Sequence, residues 1–382
     1  MILHGGKVEL KELCNLCKSS EFKDILKLQK CIFSDGNEAR EELIKQECQS
    51  CGTVRTKLKI DLEEFYNKNY KPSRNIDTVA IVDNEEIKRS SFIYSWIKEL
   101  IPNDKFKNIK NIFEIGCGQG YLLDKFNIKD KFGIEPSKIA SKIASNVAKV
   151  RNIGYEKINN SEKYDFVISY CVVEHIQNPN SFIEKKYNIL NNDGIMCIAL
   201  PIQDKFNYDL VFADHIHHFQ DENFKLLLNK NGFKVINYEL GKGSYFNIGI
   251  YICQKVNSKI DKEFKYIENK NIKNVKQIFK NIDKIIQKYK DNKIFAFGYG
   301  EIAKTIIPYT NLNNYISNYI DDYSKDKKVV TSEESKILFK EFDNITLLLL
   351  VNPIHFNKIK QLYNGFNINF VNIFENIEMD LI

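Results

Sequence analysis

The chain has 382 residues, enough for two or three domains. Its apolar fraction of 43% and charged fraction of 28% are globular values and exclude wholesale disorder, a collagen-like chain or a small disulfide scaffold. Lys and Arg outnumber Asp and Glu by 56 to 50, and a net charge of +6 over this length is too mild to point to a nucleic-acid or membrane partner.

No apolar run approaches the ~18 residues of a membrane-crossing helix, and Met1 to Leu13 has no signal-peptide core. A soluble, cytoplasmic protein is expected, a monomer or a small homo-oligomer. Nine cysteines in a reducing compartment read as metal ligands or small buried hydrophobes before disulfides.

Residues 1–70 hold Cys14, Cys17, Cys31, Cys48 and Cys51 and few apolar runs. Cys14-Asn-Leu-Cys17 and Cys48-Gln-Ser-Cys51 are two CxxC knuckles. Two such pairs supply the four thiolates of a closed tetrahedral site, so one structural zinc ion is expected. Gly52 suits the tight turn after the second knuckle. Cys31, between the pairs, is a spare or an alternative ligand. Free surface thiols or a redox pair are the competing readings.

Residues 71–255 alternate strand-like and helix-like segments, which implies a parallel sheet covered on both faces. The segments around Lys234 to Tyr238 and Ile248 to Gln254 have no helix between them and predict an antiparallel hairpin closing that sheet. After the strand at Ile112 to Ile115 comes Glu114-Ile-Gly116-Cys117-Gly118-Gln-Gly120-Tyr121, a strand–glycine turn–helix passage. Glycines there let a backbone approach a ligand closely. The next strand ends in Glu135-Pro136, and a carboxylate at that place can accept both hydroxyls of a ribose. Glu114 can orient a cationic amino-acid group. This pattern resembles the S-adenosylmethionine site of class I methyltransferases. The resemblance also places Cys117, Tyr121, Pro136 and the segment Cys171-Val-Val-Glu174-His175 around the cofactor. Packing and helix capping is the other reading of Glu174 and His175.

Asp214-His215-Ile-His217-His218 is the densest titratable cluster, following a strand end where α/β sheets present their ligands. A general base at His215, with Asp214 holding one ring, a structural role, and a metal site all remain open. Residues 256–382 begin with a predicted long charged helix over 262–290. A second α/β domain follows, in which Phe297-Gly298-Tyr-Gly300-Glu301-Ile-Ala303 and Asp321-Asp322 form a dinucleotide-like pattern.

The order of parts resembles the three-domain sugar C-methyltransferases: a zinc module (1–70), a methyltransferase core (71–255), and a long helix with a C-terminal α/β domain (256–382). The resemblance implies an α/β, Rossmann-like fold and a nucleotide-linked 4-keto deoxysugar as substrate. It implies acid/base work by His215 and by a tyrosine, with Tyr70 in the tyrosine-bearing segment after the zinc module, and a C-terminal domain that holds the nucleotide-sugar and not a second cofactor; Asp214 and His218, beside His215 in the cluster, are the further catalytic candidates. The chain departs from the family pattern at Phe212, where a tyrosine is expected, and at Ala213, where a histidine is expected. Without the phenol, O- or N-methylation also fits. An RNA or protein methyltransferase gripping its target through the zinc module is a further alternative, weakened by the lack of basic stripes interleaved with aromatics. A nucleotide-sensing scaffold that keeps the cofactor fold is another.

Overall fold

The computed structural model describes residues 13–57, 77–82, 85–242, 245, 247–257 and 260–377. Tyr70, offered by the sequence as an acid/base group, lies outside them.

The N-terminal module is an antiparallel sheet of β1 (Phe22–Leu28), β2 (Leu43–Cys48) and β3 (Val54–Lys57). A short hairpin, Cys31–Ile32 with Glu38–Ala39, fills the gap between the knuckles.

The core begins with helix α1 (Arg89–Leu100). Then come β4 (Asn111–Ile115), α2 (Tyr121–Lys125), β5 (Asp130–Ile134), α3 (Lys138–Ala144), β6 (Lys149–Arg151), β7 (Tyr164–Tyr170), α4 (Pro179–Ile189) and β8 (Leu190–Pro201). The two-residue strand β9 (His217–His218), helix α5 (Asp221–Lys230), and the hairpin β10 (Phe233–Leu240) and β11 (Ile248–Lys255) complete it.

Seven of these strands form one sheet in the order β6-β5-β4-β7-β8-β11-β10. β11 is antiparallel to β8 and to β10, and the other pairs are parallel. Alternate residues feed two apolar layers: Phe113, Val167, Met196 and Ile198 on one face, Ile112, Phe166, Ile168 and Cys197 on the other. Burial on both faces explains why these strands read as continuous apolar runs. The chain order runs one way from β4 through β5 to β6 and the other way from β7 to β8. The crevice at the carboxyl ends of β4 and β7 is therefore the topological switch point, where α/β sheets bind ligands.

The long helix starts later than its charge pattern predicts: α6 spans Asn271–Tyr289. Asn269 Oδ1 accepts the backbone N–H of Asn271 (3.0 Å), a local bond that competes with the helix ladder, so the helix begins only there. Upstream, the chain crosses the second cysteine knuckle, where Ile267 N donates to Cys51 O (3.3 Å). Along α6, Val275, Ile278, Ile282 and Ile285 recur at spacings of three and four and pack into the C-terminal core.

The C-terminal domain is an all-parallel sheet built from β12 (Lys293–Phe297), β13 (Ile316–Ile320), β14 (Val329–Val330), β15 (Ile345–Leu349) and β16 (Ile368–Asn372), in the order β14-β13-β12-β15-β16. Helices α7 (Glu301–Thr305) and α8 (Ser332–Phe339) belong to it.

Candidate active site

The cysteine pairs meet. The Sγ atoms of Cys14, Cys17, Cys48 and Cys51 all lie within 4.8 Å of one another. Cys14 to Cys51 is 3.8 Å and Cys17 to Cys48 is 3.5 Å, near the sulfur spacing of about 3.8 Å that a tetrahedral ion with ~2.3 Å bonds imposes. Knuckle turns close each pair, Lys18 N to Cys14 O (3.0 Å) and Gly52 N to Cys48 O (2.8 Å). Gly52 sits at φ +77°, and a Cβ there would fall 1.9 Å from Ile267 O, so no other residue fits. These donors fit a zinc ion with no open position. Cys31 is elsewhere, fully buried against Phe33, Leu43 and Ala213, so it is a core residue and neither a spare nor an alternative ligand.

The glycine loop divides its work. A Cβ on Gly116 would meet Val172 Cγ2 at 2.6 Å, and one on Gly120 would meet Val147 Cγ2 at 2.8 Å. Both glycines are needed for packing. Gly118, at φ +52°, has nothing within 4 Å of its Cβ position and borders open space. Its N–H donates to Glu135 Oε2 (2.9 Å), while Ser137 N donates to Oε1 (2.8 Å). Each oxygen keeps a lone pair for a ribose hydroxyl.

Glu114 is 3% exposed, and its Oε2 has no hydrogen-bond partner among the described residues. Burial, with help from the Glu135 charge, pushes its pKa up to about 8. A cationic ligand group would supply the missing charge partner. Open space at Gly118, two carboxylates and the orphaned Glu114 oxygen together fit S-adenosylmethionine. Of the other residues that the sequence puts here, Cys117 turns inward and packs in the apolar layer with Leu123. Tyr121 opens α2, and the Pro136 carbonyl accepts from Asn152 Nδ2 (2.7 Å). Cys171 follows β7 at φ +53°, a conformation that costs a non-glycine residue about 1 kcal/mol or more.

The histidine segment belongs to two domains at once. Strand β9 pairs antiparallel with β3, His217 opposite Arg55 and His218 opposite Val54, and becomes the fourth strand of the N-terminal module's sheet. Thr56 N donates to Ile216 O (2.8 Å) and Thr56 Oγ1 to His215 O (2.5 Å). Tyr309, from the C-terminal domain, donates to Val211 O (2.9 Å) and accepts from Ile32 N (2.8 Å), joining all three domains beside the cluster.

Asp209 is the hub of this cluster. Its Oδ2 accepts from His215 Nδ1 (3.2 Å) and His218 Nδ1 (3.1 Å), and its Oδ1 from Gln203 Nε2 (2.6 Å). Burial opposes its ionisation, yet the two imidazoles hold its pKa far below the carboxylate range. Burial likewise opposes charge on His215, but the Asp209 bond and the charges of Asp209, Asp214 and Glu174 raise its pKa above the ordinary value. His218, fully buried, is pinned on its other side by Lys45 Nζ (2.9 Å). Lys45 also donates to Thr56 Oγ1 and to the carbonyls of Phe212 and His215, and burial lowers its pKa to about 7. Both ring nitrogens of His218 are therefore engaged, Nδ1 by Asp209 and Nε2 by Lys45.

Asp214 does hold a ring, but that of His175. His175 Nδ1 bonds to Asp214 O (2.9 Å) and lies 3.5 Å from Asp214 Oδ2. Ser34 fixes the Asp214 carboxylate through N–H (2.8 Å) and Oγ (2.6 Å). His175 and His215 meet edge to face, 4.7 Å apart, and Phe212 packs on His215 at 4.9 Å. Sequence reading missed Asp209, Lys45 and Ser34. An acid inside the apolar run Phe206 to Phe212 was the one signal for Asp209; Lys45 and Ser34 carry none.

The family model described as "Methyltransferase domain" matches residues 86–238. An uncharacterized protein of Methanocaldococcus jannaschii is 26% identical over 194 residues, 49% of this chain and 76% of its own length. A ubiquinone biosynthesis O-methyltransferase of Pelagibacter ubique is 31% identical over 149 residues, 36% of this chain and 59% of its own length, so the chain spans less than two thirds of that relative. Among solved structures, an S-adenosylmethionine-dependent methyltransferase of Clostridium acetobutylicum is 13% identical with a TM-score of 0.34, covering 44% of this chain and 91% of its own. The [4+2]-cyclase SpnF is 12% identical with a TM-score of 0.40, covering 48% and 88%. The matched segment holds the glycine loop, Glu135 and the histidine cluster. The chain carries a class I methyltransferase domain. It is an S-adenosylmethionine-dependent methyltransferase.

Proposed function

We propose that the chain methylates a sugar carried on a nucleotide, with the sugar between the histidine cluster and the C-terminal domain. The observation that carries this reading is Asp321. Its Oδ2 accepts Tyr299 N (3.0 Å) and its Oδ1 accepts Tyr323 N (2.9 Å), the same two-bond pattern by which Glu135 is prepared for a ribose. A second ribose-ready carboxylate, outside the cofactor's domain, fits an acceptor that brings its own ribose.

Bound S-adenosylmethionine supplies an electrophilic methyl group on a sulfonium. Glu135 would hold its ribose, Glu114 its charged amino-acid end, and Gly118 its close approach. His215 takes the acceptor's proton. Its Nδ1 is anchored on Asp209, which orients the ring and leaves Nε2 as the accepting nitrogen. The zinc module would act indirectly, by holding β9 and thereby His215.

The family resemblance favours carbon beside a 4-keto group as the acceptor. Oxygen is the second reading, supported by Phe212 packed on His215 where that family has a phenol. The O-methyltransferase relative agrees with it. The test is incubation with nucleotide-linked 4-keto deoxysugars and labelled cofactor, read by mass spectrometry. Methyl gain on the sugar supports the proposal; its absence across nucleotide-sugars, with gain on RNA or protein, overturns it. A cofactor-independent exchange of the proton beside the ketone in deuterated water would assign carbon; methyl transfer without that exchange would assign oxygen.

A further inference from the structure

Lys45, on β2, is 0% exposed. A lysine is almost never buried so completely without a paired anion. Yet none of the four groups that its Nζ touches is a carboxylate: they are Thr56 Oγ1 (2.6 Å), the carbonyls of Phe212 (2.7 Å) and His215 (3.1 Å), and His218 Nε2 (2.9 Å). The Thr56 hydroxyl gives its own proton to His215 O, so toward Lys45 it can only accept. That carbonyl is already served and lies furthest from Nζ. The three ammonium protons therefore go to Thr56, Phe212 and His218.

The anion stands one ring away. His218 Nδ1 donates to Asp209 Oδ2 (3.1 Å), which leaves Nε2 as the accepting nitrogen, the one that Lys45 faces. An ammonium there forbids a proton on Nε2 and holds the ring in its Nδ1–H form. Asp209 Oδ2 then has both lone pairs filled, by His218 and by His215 Nδ1 (3.2 Å), while Gln203 holds Oδ1 (2.6 Å). Register brings the parts together. Lys45 lies opposite Thr56 in the β2–β3 pair, and His218 lies opposite Val54 in the β3–β9 pair.

We propose that Lys45 is a positioning residue for His215: it fixes the ring form of His218 and, through that ring, the Asp209 carboxylate on which His215 Nδ1 is anchored. The N-terminal module thus lends the core a buried cation as well as a strand edge. An apolar side chain of similar length would fill the same space, but only a donor at Nζ dictates which nitrogen of His218 carries the proton.

Lys45→Met keeps the volume and removes that donor. The test labels the histidines of the full chain with 15N, reads ring protonation by NMR, and measures methyl transfer to a nucleotide-linked 4-keto deoxysugar. Wild-type His218 should carry its proton on Nδ1 and none on Nε2. In Lys45→Met, His218 Nε2 should take up a proton. The kcat should fall roughly 10- to 100-fold, the worth of a hydrogen bond to a charged group, with KM and cofactor Kd unchanged. Adding Lys45→Met to His218→Phe should cost no further rate, since Lys45 acts through that ring. A wild-type His218 protonated on Nε2 alone, a ring form unchanged in Lys45→Met, or a loss confined to KM would overturn the proposal. If Lys45→Met does not fold, the wild-type spectrum still decides. The rate effect rests on His215 as the base of the proposed function. An active His215→Ala, or a sugar left unmethylated, would overturn that reading, and the ring spectra would still judge Lys45.

Discussion

Glu135 ends the second strand of the core, and Asp321 follows the second strand of the C-terminal domain. Each accepts one N–H from the glycine loop across the way and one from two residues further along its own chain. The glycines match as well: Gly116 and Gly298 both serve packing, their Cβ positions 2.6 Å from Val172 Cγ2 and 2.4 Å from Val351 Cγ1, and Gly118 and Gly300 both have nothing within 4 Å of theirs. The halves part in their carboxylates. In the core, Glu114 Oε2 is buried with no hydrogen-bond partner among the described residues. Helix α7 then opens on Glu301, which puts a carboxylate where a dinucleotide site places its diphosphate. The carboxylate device and the open middle glycine are shared; the helix that follows is not, since α2 opens on Tyr121 and α7 on Glu301. A GxGxxA spelling therefore marks a strand–turn–helix geometry before it marks a ligand.

The largest effect should come from the module that neither half contains. Structural zinc contributes on the order of 10 kcal/mol to small metal modules, so Cys48→Ser should unfold the N-terminal sheet. β9 would lose its partner β3, and methyl transfer should vanish while the core still melts cooperatively in calorimetry. Next, His215→Ala should lower kcat by roughly 10²- to 10⁴-fold, the usual worth of an acid/base group, with cofactor affinity intact by calorimetric titration. Glu135→Ala removes charge-assisted hydrogen bonds worth about 1.5–3 kcal/mol, so cofactor Kd should rise by roughly 10- to 100-fold. Asp321→Asn sharpens the contrast between the halves. It should raise KM for the nucleotide-sugar by roughly tenfold and leave cofactor Kd unchanged.

The smallest effect is a shift in pH profile, measured with no divalent ion added. His215 works as a base only when neutral, so kcat/KM should rise with pH through a midpoint above the ordinary histidine value, since its pKa is raised. Asp209→Asn removes the main charge that raises it and should move the midpoint to lower pH.

Much of the core was legible because its signals are local. Glu114 to Gly120 spells strand, turn and helix in sequence, and Glu135 follows at the end of the next strand. The cysteine knuckles are local too, although only the fold brings the two pairs to one point. What could not be read is what depends on distant pairing. Nothing in Val54-Arg55 or His217-His218 announces that they share a ladder. Lys45 reads as a solvent-facing strand residue until β9 covers it. Asp214 and Asp209 are both acids near His215, and chain proximity favours the wrong one. The turn of β9 onto the N-terminal module sends Asp214 toward His175 and Ser34 and leaves His215 to Asp209.

The most direct measurement of the central claim is native mass spectrometry of the zinc-loaded full chain with S-adenosylmethionine and a nucleotide-linked sugar, comparing wild type with Asp321→Asn. The account predicts one cofactor on both proteins, and the nucleotide-sugar held by wild type far better than by the variant. A chain that binds no cofactor, or a nucleotide-sugar held equally by both, would contradict it.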